Sequence, residues 1–528
     1  MGTYPERVTA FQGHAGDRRF AALEAAVHAG MARHHVPGVA LGVIDHHAEH
    51  TAGFGVTSVE QPLPVDEDTL FPVASITKTV VATAVMRLVE RGLLSLDAPV
   101  RRCVPELRLR DPSSSDQLTL THLLTHTGGF QGTVRDGAHG IRCGPGDDAL
   151  TRFVALLAHL PQHATPGRMW AYNNAGFSLA GRIIEVVTGQ TFGAACHALV
   201  LEPLGMRRAF FASGSASGAP SAPGAAVGHR VKAGRAELAR GWTLPRMLHP
   251  AGGLVCSARD LLRYARFHLG DGSVTDHAGG TGSQRLLSPE SLALMYAPRV
   301  RGDALHNGCL ASFADDVGLS WFSRATQRGR LLVHGGWTSL SLRLTLVPEH
   351  HFAIFVLTNA DTGAQLHAEV TKQALRDYVG IDNLDVLPFH TTPTTSPTTC
   401  ATSTPLGDLT PYAGTYNFSE PDGGDDDEIE EVAVRVNDDH LTLTGWGPTS
   451  NVAFYEPDHV VALDGLWQHE RGQFLRDTSG QITFLRMAGS LGKRLPTEGR
   501  RVSAKSTGGD GMGSAHPLHK VRYLAYNG

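Results

Sequence analysis

The sequence predicts a two-domain protein of the α/β (α+β) class: an antiparallel sheet flanked by helices and carrying a helical insertion, followed by a small C-terminal antiparallel β-barrel. Three observations predict it. Apolar runs rich in branched residues, which read as strands, occur near the start and return after residue 316, with helical periodicity between them. A Thr/Pro-rich stretch then breaks the pattern, and short alternating segments resume beyond it. At 528 residues the chain also exceeds one core, since domains average about 150 residues.

The elements follow in order. Phe20, Leu23, Val27 and Met31 recur at helical spacing between Asp17 and Met31, so a helix comes first. Gly38–Ile44 reads as a strand, and Thr51–Val56 as the second arm of its hairpin. Helical patterns dominate from Ser75 to about Asp271, which places the insertion at about residues 79–270. Strands are expected at Val317–Phe322, Arg330–Val333, Ser339–Val347 and Phe352–Leu357, with Gly363–Tyr378 as a closing helix. Residues 1–389 thus form one domain whose sheet is built from both ends. Residues 390–405, rich in Thr, Pro and Ser, read as a linker. Alternation in Val432–Val436, His440–Thr444, Val460–Leu463 and Gln481–Leu485 predicts a barrel or sandwich over residues 406–498, before a polar tail at 499–528.

Composition narrows the function. Forty-six Lys and Arg against 51 Asp and Glu give a net charge of -5, and no long basic cluster stands out, which argues against nucleic acid as a partner. The N-terminus lacks an apolar leader core and no segment approaches a membrane-spanning length, so a cytoplasmic protein without a membrane partner is expected. Cys103, Cys143, Cys196, Cys256, Cys309 and Cys400 are scattered without a C-x-x-C pair, a pattern of reduced thiols. No metal or cofactor is expected: His46-His47-Ala48-Glu49-His50 and His350-His351 lie in predicted hairpin turns, lack H-E-x-x-H, and read as solvated turn residues. His122 and His126, four apart, read as supports for a loop. Gly214–Gly218 lacks the central serine of a G-x-S-x-G elbow, and the acidic run Asp422–Glu431 reads as a solvated loop.

The chemistry concentrates in three places. Ser75-Ile76-Thr77-Lys78 sits between the turn-prone Leu70–Ala74 and the helix-like Thr79–Arg91. A serine and a lysine three apart share one helix face, so the amine reaches the hydroxyl, and a desolvated lysine can activate it as a nucleophile. Tyr172-Asn173-Asn174 precedes another helix-like run. A phenol beside a lysine ammonium is expected to ionise more easily and to act as acid and base, while the Asn174 amide orients its neighbours. Finally, Val333-His334-Gly335-Gly336-Trp337 leads into a long strand, and paired glycines let a substrate approach main-chain N–H donors.

In this order and spacing, S-x-x-K, Y-x-N and H-G-G resemble the serine β-lactamase and DD-peptidase superfamily, in its class C-like branch. Phe71–Ala74, Leu118–Gly129 and Pro250–Leu254 look like further signature stretches, and the resemblance covers roughly residues 17–380. It implies a serine hydrolase: Ser75 as the acylated nucleophile, Lys78 as its activator, Tyr172 as general base and acid, and Asn174 as a positioning amide. His334, Gly335 and Gly336 occupy the place of the family's K-T-G triplet, with the backbone N–H groups of Ser75 and Trp337 as the oxyanion hole. A histidine in place of the triplet's lysine is mostly neutral at pH 7, which shifts the expected substrate from β-lactams to carboxylic esters or lactones. D-amino-acid amides or D-Ala-D-Ala-type peptides come second, and β-lactamase activity or a sensor that acylates without turnover third. Tyr412–Tyr416 resembles the opening of lipocalin-like domains appended to such hydrolases, and the sequence leaves open whether such a domain caps the pocket or builds a homo-oligomer interface.

Overall fold

A computed structural model of the chain describes residues 17–134, 137–211, 224–239, 244–275, 283–301, 314–382, 408–418, 431–437, 440–445, 449–464, 471–487 and 490–496. The linker at 390–405, the tail at 499–528, the Gly214–Gly218 stretch and nearly all of the acidic run lie outside the described residues. The described residues fold as two compact units, one up to residue 382 and one from residue 408.

The first unit is built on an eight-stranded antiparallel sheet. Its order is Val300–Arg301, Asp316–Val317, Phe322–Thr326, Gly329–Trp337, Ser341–Val347, Phe352–Thr358, Gly38–Asp45, Ala48–Gly55. The early strand Gly38–Asp45 pairs directly with the late strand Phe352–Thr358, Leu41 opposite Val356. Both faces of the sheet are covered, which explains why its central strands are apolar without alternation. In Phe352–Thr358, Ala353, Phe355 and Leu357 face the core shared with the helical insertion, while Phe352, Ile354 and Val356 face a second core under helices Arg18–His34 and Gly363–Ala374.

The insertion centres on helix Thr77–Glu90, in which every residue from Thr77 to Leu88 is buried. Such a helix is buried all round because helices Asn174–Thr188 and His249–Gly252 and the segment Phe192–Leu201 pack on it.

Three expectations are corrected. Val317–Phe322 is not one strand: Ser320 adopts φ 70, and the tight turn around it separates Asp316–Val317 from Phe322–Thr326. The turn-prone stretch Leu70–Ala74 is a strand in its first half, because Leu70–Pro72 pairs with Leu254–Ser257 in a small separate sheet. His50 is not a solvated turn residue: it is buried, stacked on Phe20 at 4.9 Å and 3.5 Å from Asp17.

The second unit is a closed, eight-stranded antiparallel barrel. Its strands follow chain order from Gly414–Asn417 to Ser490–Arg494, and the pairs Tyr416 with Arg494 and Asn417 with Lys493 close it. Its interior holds Tyr416, Val432, Val434, Leu441, Leu443, Val452, Phe474 and Leu485. Among the described residues of the chain, no single helix is long and apolar enough to cross a bilayer.

Candidate active site

Ser75 lies in a single 3-10 turn, Ala74–Ile76, immediately before helix Thr77–Glu90. That turn is pinned from both sides. Val73 N–H donates to the Leu254 carbonyl at 2.9 Å. Thr77 Oγ1 donates to the Ala74 carbonyl at 2.5 Å and accepts from Leu254 N–H at 3.1 Å. Ala74 itself has φ 45, a left-handed conformation that costs a residue with a Cβ about 1 kcal/mol and is held by this scaffold.

Lys78, one turn along the helix, is fully buried, and its Nζ stands 2.9 Å from Ser75 Oγ. The same nitrogen donates to the Ala251 carbonyl at 2.6 Å. Burial drives the amine's pKa well below the usual lysine range. A neutral amine has one lone pair; with one N–H directed at Ala251, the lone pair can face the serine hydroxyl and accept its proton. The Ala251 carbonyl comes from the Pro250–Leu254 stretch, whose role as an anchor for Lys78 the sequence reading missed.

Tyr172 enters just before helix Asn174–Thr188, which Asn173 caps by accepting from Gly176 N–H at 2.6 Å. Lys78 Nζ lies 4.8 Å from the Tyr172 ring centroid. The expectation that the phenol ionises easily is corrected: burial raises its pKa, and the hydrogen bond with Ser75 offsets this only in part. Tyr172 is therefore biased to keep its proton, while the Lys78 amine is biased towards its neutral form. Asn174 is half-buried as the first helical residue, and the bonds that hold Lys78 come from Ser75 and Ala251 instead.

His334, Gly335, Gly336 and Trp337 end the strand Gly329–Trp337. Leu332 faces the insertion core, so by strand alternation His334 and Gly336 do too. A Cβ on Gly336 would stand 2.5 Å from the Val73 carbonyl oxygen, so only glycine allows this strand to lie against the nucleophile turn. His334 is buried, and its Nδ1 lies 2.8 Å from the Gly335 carbonyl, which fixes the proton on Nδ1. Burial, with the nearby Lys78 second, pushes its pKa down to about 3. His122 and His126 part company: His122 completes a capping box with Thr119, whereas His126 stacks on Tyr172.

A buried amine at a serine, a protonated phenol against both, and a glycine-bearing strand packed on the serine's turn make an acyl-transfer constellation. A family model described as Beta-lactamase matches residues 23–377. The chain belongs to the beta-lactamase family of serine hydrolases. Among members of the family and its neighbours, Penicillin-binding protein 4 of Amycolatopsis lactamdurans is 31% identical over 406 residues, covering 74% of this chain and 95% of that protein. Esterase EstB of Burkholderia gladioli is 42% identical over 185 residues, or 33% of this chain and 47% of that one. The crystal structure of SurE with D-Leu superposes with a TM-score of 0.67 at 26% identity, covering 91% of this chain and all (100%) of that one. The beta-lactamase family match spans the unit that holds Ser75, Lys78, Tyr172 and His334.

Proposed function

We propose that this protein hydrolyses a carboxylic ester or lactone through an acyl-enzyme on Ser75. The observation that carries the reading is the fully buried Lys78 amine, 2.9 Å from Ser75 Oγ and biased to its neutral form. Lys78 takes the Ser75 proton as Oγ bonds to the substrate carbonyl carbon, and the backbone N–H groups of Ser75 and Trp337 serve the developing oxyanion. As the tetrahedral intermediate collapses, Tyr172 gives its proton to the departing alkoxide and regains one from Lys78. Water then attacks the acyl carbon, losing its proton to the same pair, and the Oγ–acyl bond breaks with the proton returned to Ser75. Asn174, whose amide does not hold Lys78, is left to orient the substrate from the helix start. A neutral His334 provides no cation for the carboxylate of a β-lactam, and the segment likeness to an esterase points the same way.

A second reading, a hydrolase of D-amino-acid amides, draws on the likeness to SurE, which has a crystal structure with D-Leu. The test is labelling by a fluorophosphonate together with p-nitrophenyl ester hydrolysis, both removed by Ser75→Ala. Absence of adduct and of ester turnover overturns the proposal. Faster turnover of D-leucyl-p-nitroanilide than of any ester establishes the second reading in its place, and faster turnover of a chromogenic cephalosporin overturns both substrate assignments.

A further inference from the structure

His126 holds the residues on both sides of Tyr172. Ala171 N–H donates to the His126 carbonyl at 3.0 Å, and Asn173 N–H donates to His126 Nδ1 at 2.9 Å. Between these two bonds, the His126 ring stacks on the Tyr172 ring at 4.3 Å with 22° between planes. The phenol is thus fixed along the chain by hydrogen bonds and across it by a ring face.

A packing role alone does not account for this histidine. The ring is 1% exposed, and because Nδ1 accepts, the proton sits on Nε2, which has no hydrogen-bond partner among the described residues. Phenylalanine would fill the same space without burying an unpaired N–H. The backbone, too, is in the left-handed region at φ 59, where a side chain is tolerated at a cost. What histidine offers over phenylalanine is the Nδ1 acceptor. We propose that His126 is a positioning residue that sets Tyr172 for proton transfer by accepting the Asn173 N–H at Nδ1. The inference rests on the acyl-transfer role of Tyr172 proposed above.

Three variants separate acceptor from stack. His126→Asn places an amide oxygen near the Nδ1 position, and asparagine tolerates the left-handed backbone. His126→Phe keeps the stack and removes the acceptor. His126→Gln moves the amide one bond outward and covers the case in which the phenylalanine variant does not fold. The readouts are the rate of Ser75 labelling by a fluorophosphonate, kcat and KM for p-nitrophenyl butyrate, and Tm. His126→Phe and His126→Gln are expected to lower the labelling rate and kcat by about 10- to 100-fold with KM nearly unchanged, since small misplacements of a reacting group cost this much. His126→Asn is expected to stay within about fivefold of the parent chain, a rescue that stability alone would not produce. Parent-like rates in His126→Phe or His126→Gln, or an equal loss in His126→Asn, overturn the inference while leaving the hydrolase reading intact. A parent chain that neither labels nor turns over ester overturns that reading and this inference with it.

Discussion

Gly336 and Val73 are in closer contact than any other residue type would allow: a Cβ at Gly336 falls 2.5 Å from the Val73 carbonyl oxygen and 3.1 Å from the Ala74 Cβ. The strand that carries His334 and the turn that carries Ser75 are thereby set against each other through backbone alone. Gly336→Ala must push them apart. It is expected to lower kcat/KM for an ester by about 100-fold, since displacement of about 1 Å in an active site has that effect. Steady-state kinetics beside a thermal melt check this, and parent-like kcat/KM contradicts it.

Lys78 is buried, and among the described residues its nitrogen hydrogen-bonds Ser75 Oγ and the Ala251 carbonyl. Lys78→Met fits the same slot without a charge and is expected to fold while losing acylation by about 1,000-fold or more. Lys78→Arg instead places a permanent charge there and should cost about 3 kcal/mol of stability. Intact-mass labelling and urea unfolding distinguish the two; equal stability of the pair would show that this site is not dry.

Tyr172→Phe keeps the stack with His126 and removes the hydroxyl. Loss of a positioned proton donor typically costs about 100- to 10,000-fold, expected here in kcat. Esters with better leaving groups, which need less protonation, should lose less. A uniform loss across leaving groups would remove Tyr172 from the proton relay.

The pH profile follows from the two shifts at the site. Burial lowers the Lys78 pKa, so the base is already neutral well below the usual lysine range, and burial raises that of Tyr172, so the acid keeps its proton into alkali. The rise of kcat/KM with pH should therefore be complete before pH of about 10, the ordinary range of both groups, and no fall should be seen below it. A profile still climbing at that pH contradicts a neutral resting Lys78.

Stability should show the opposite end of the scale. His268 and His334 are buried with pKa values pushed down to about 3 from 6.5. Their folded values are depressed, so the unfolded chain takes up the protons: stability is full above pH 6.5 and is lost as pH falls towards 3. Each contributes a slope of about 1.4 kcal/mol per pH unit in that window. Urea titrations from pH 7.5 to 4.5 measure the slope, and His334→Leu should reduce it by about one proton.

Much of the site was legible because its residues are close in sequence and chemically distinctive. Ser75 and Lys78 lie on one helix face, and the His334 glycines can be read from the chain alone. The Ala251 carbonyl was not legible, since every residue has one and only the packing of helix His249–Gly252 directs this one to Lys78. The ionisation of Tyr172 was misjudged for the same reason: spacing brings a lysine near, but burial decides the charge on both groups. In the fold, the long doubly covered strands were clear. The break at Ser320 was not, because a left-handed serine has no strong sequence mark. Barrel strands such as Ser450–Glu456 and Arg471–Arg476 were missed because they mix polar and small residues without clean alternation.

The pairing of Gly38–Asp45 with Phe352–Thr358 also sets a schedule. A ribosome makes Ser75 and Lys78 early, yet the strand beside their turn and the strand that closes the sheet on its N-terminal arm come only after residues 329 and 352. Contacts of such separation form late and slowly. The turn that carries Ser75 is therefore expected to gain its full scaffold only when the last central strand, Phe352–Thr358, docks.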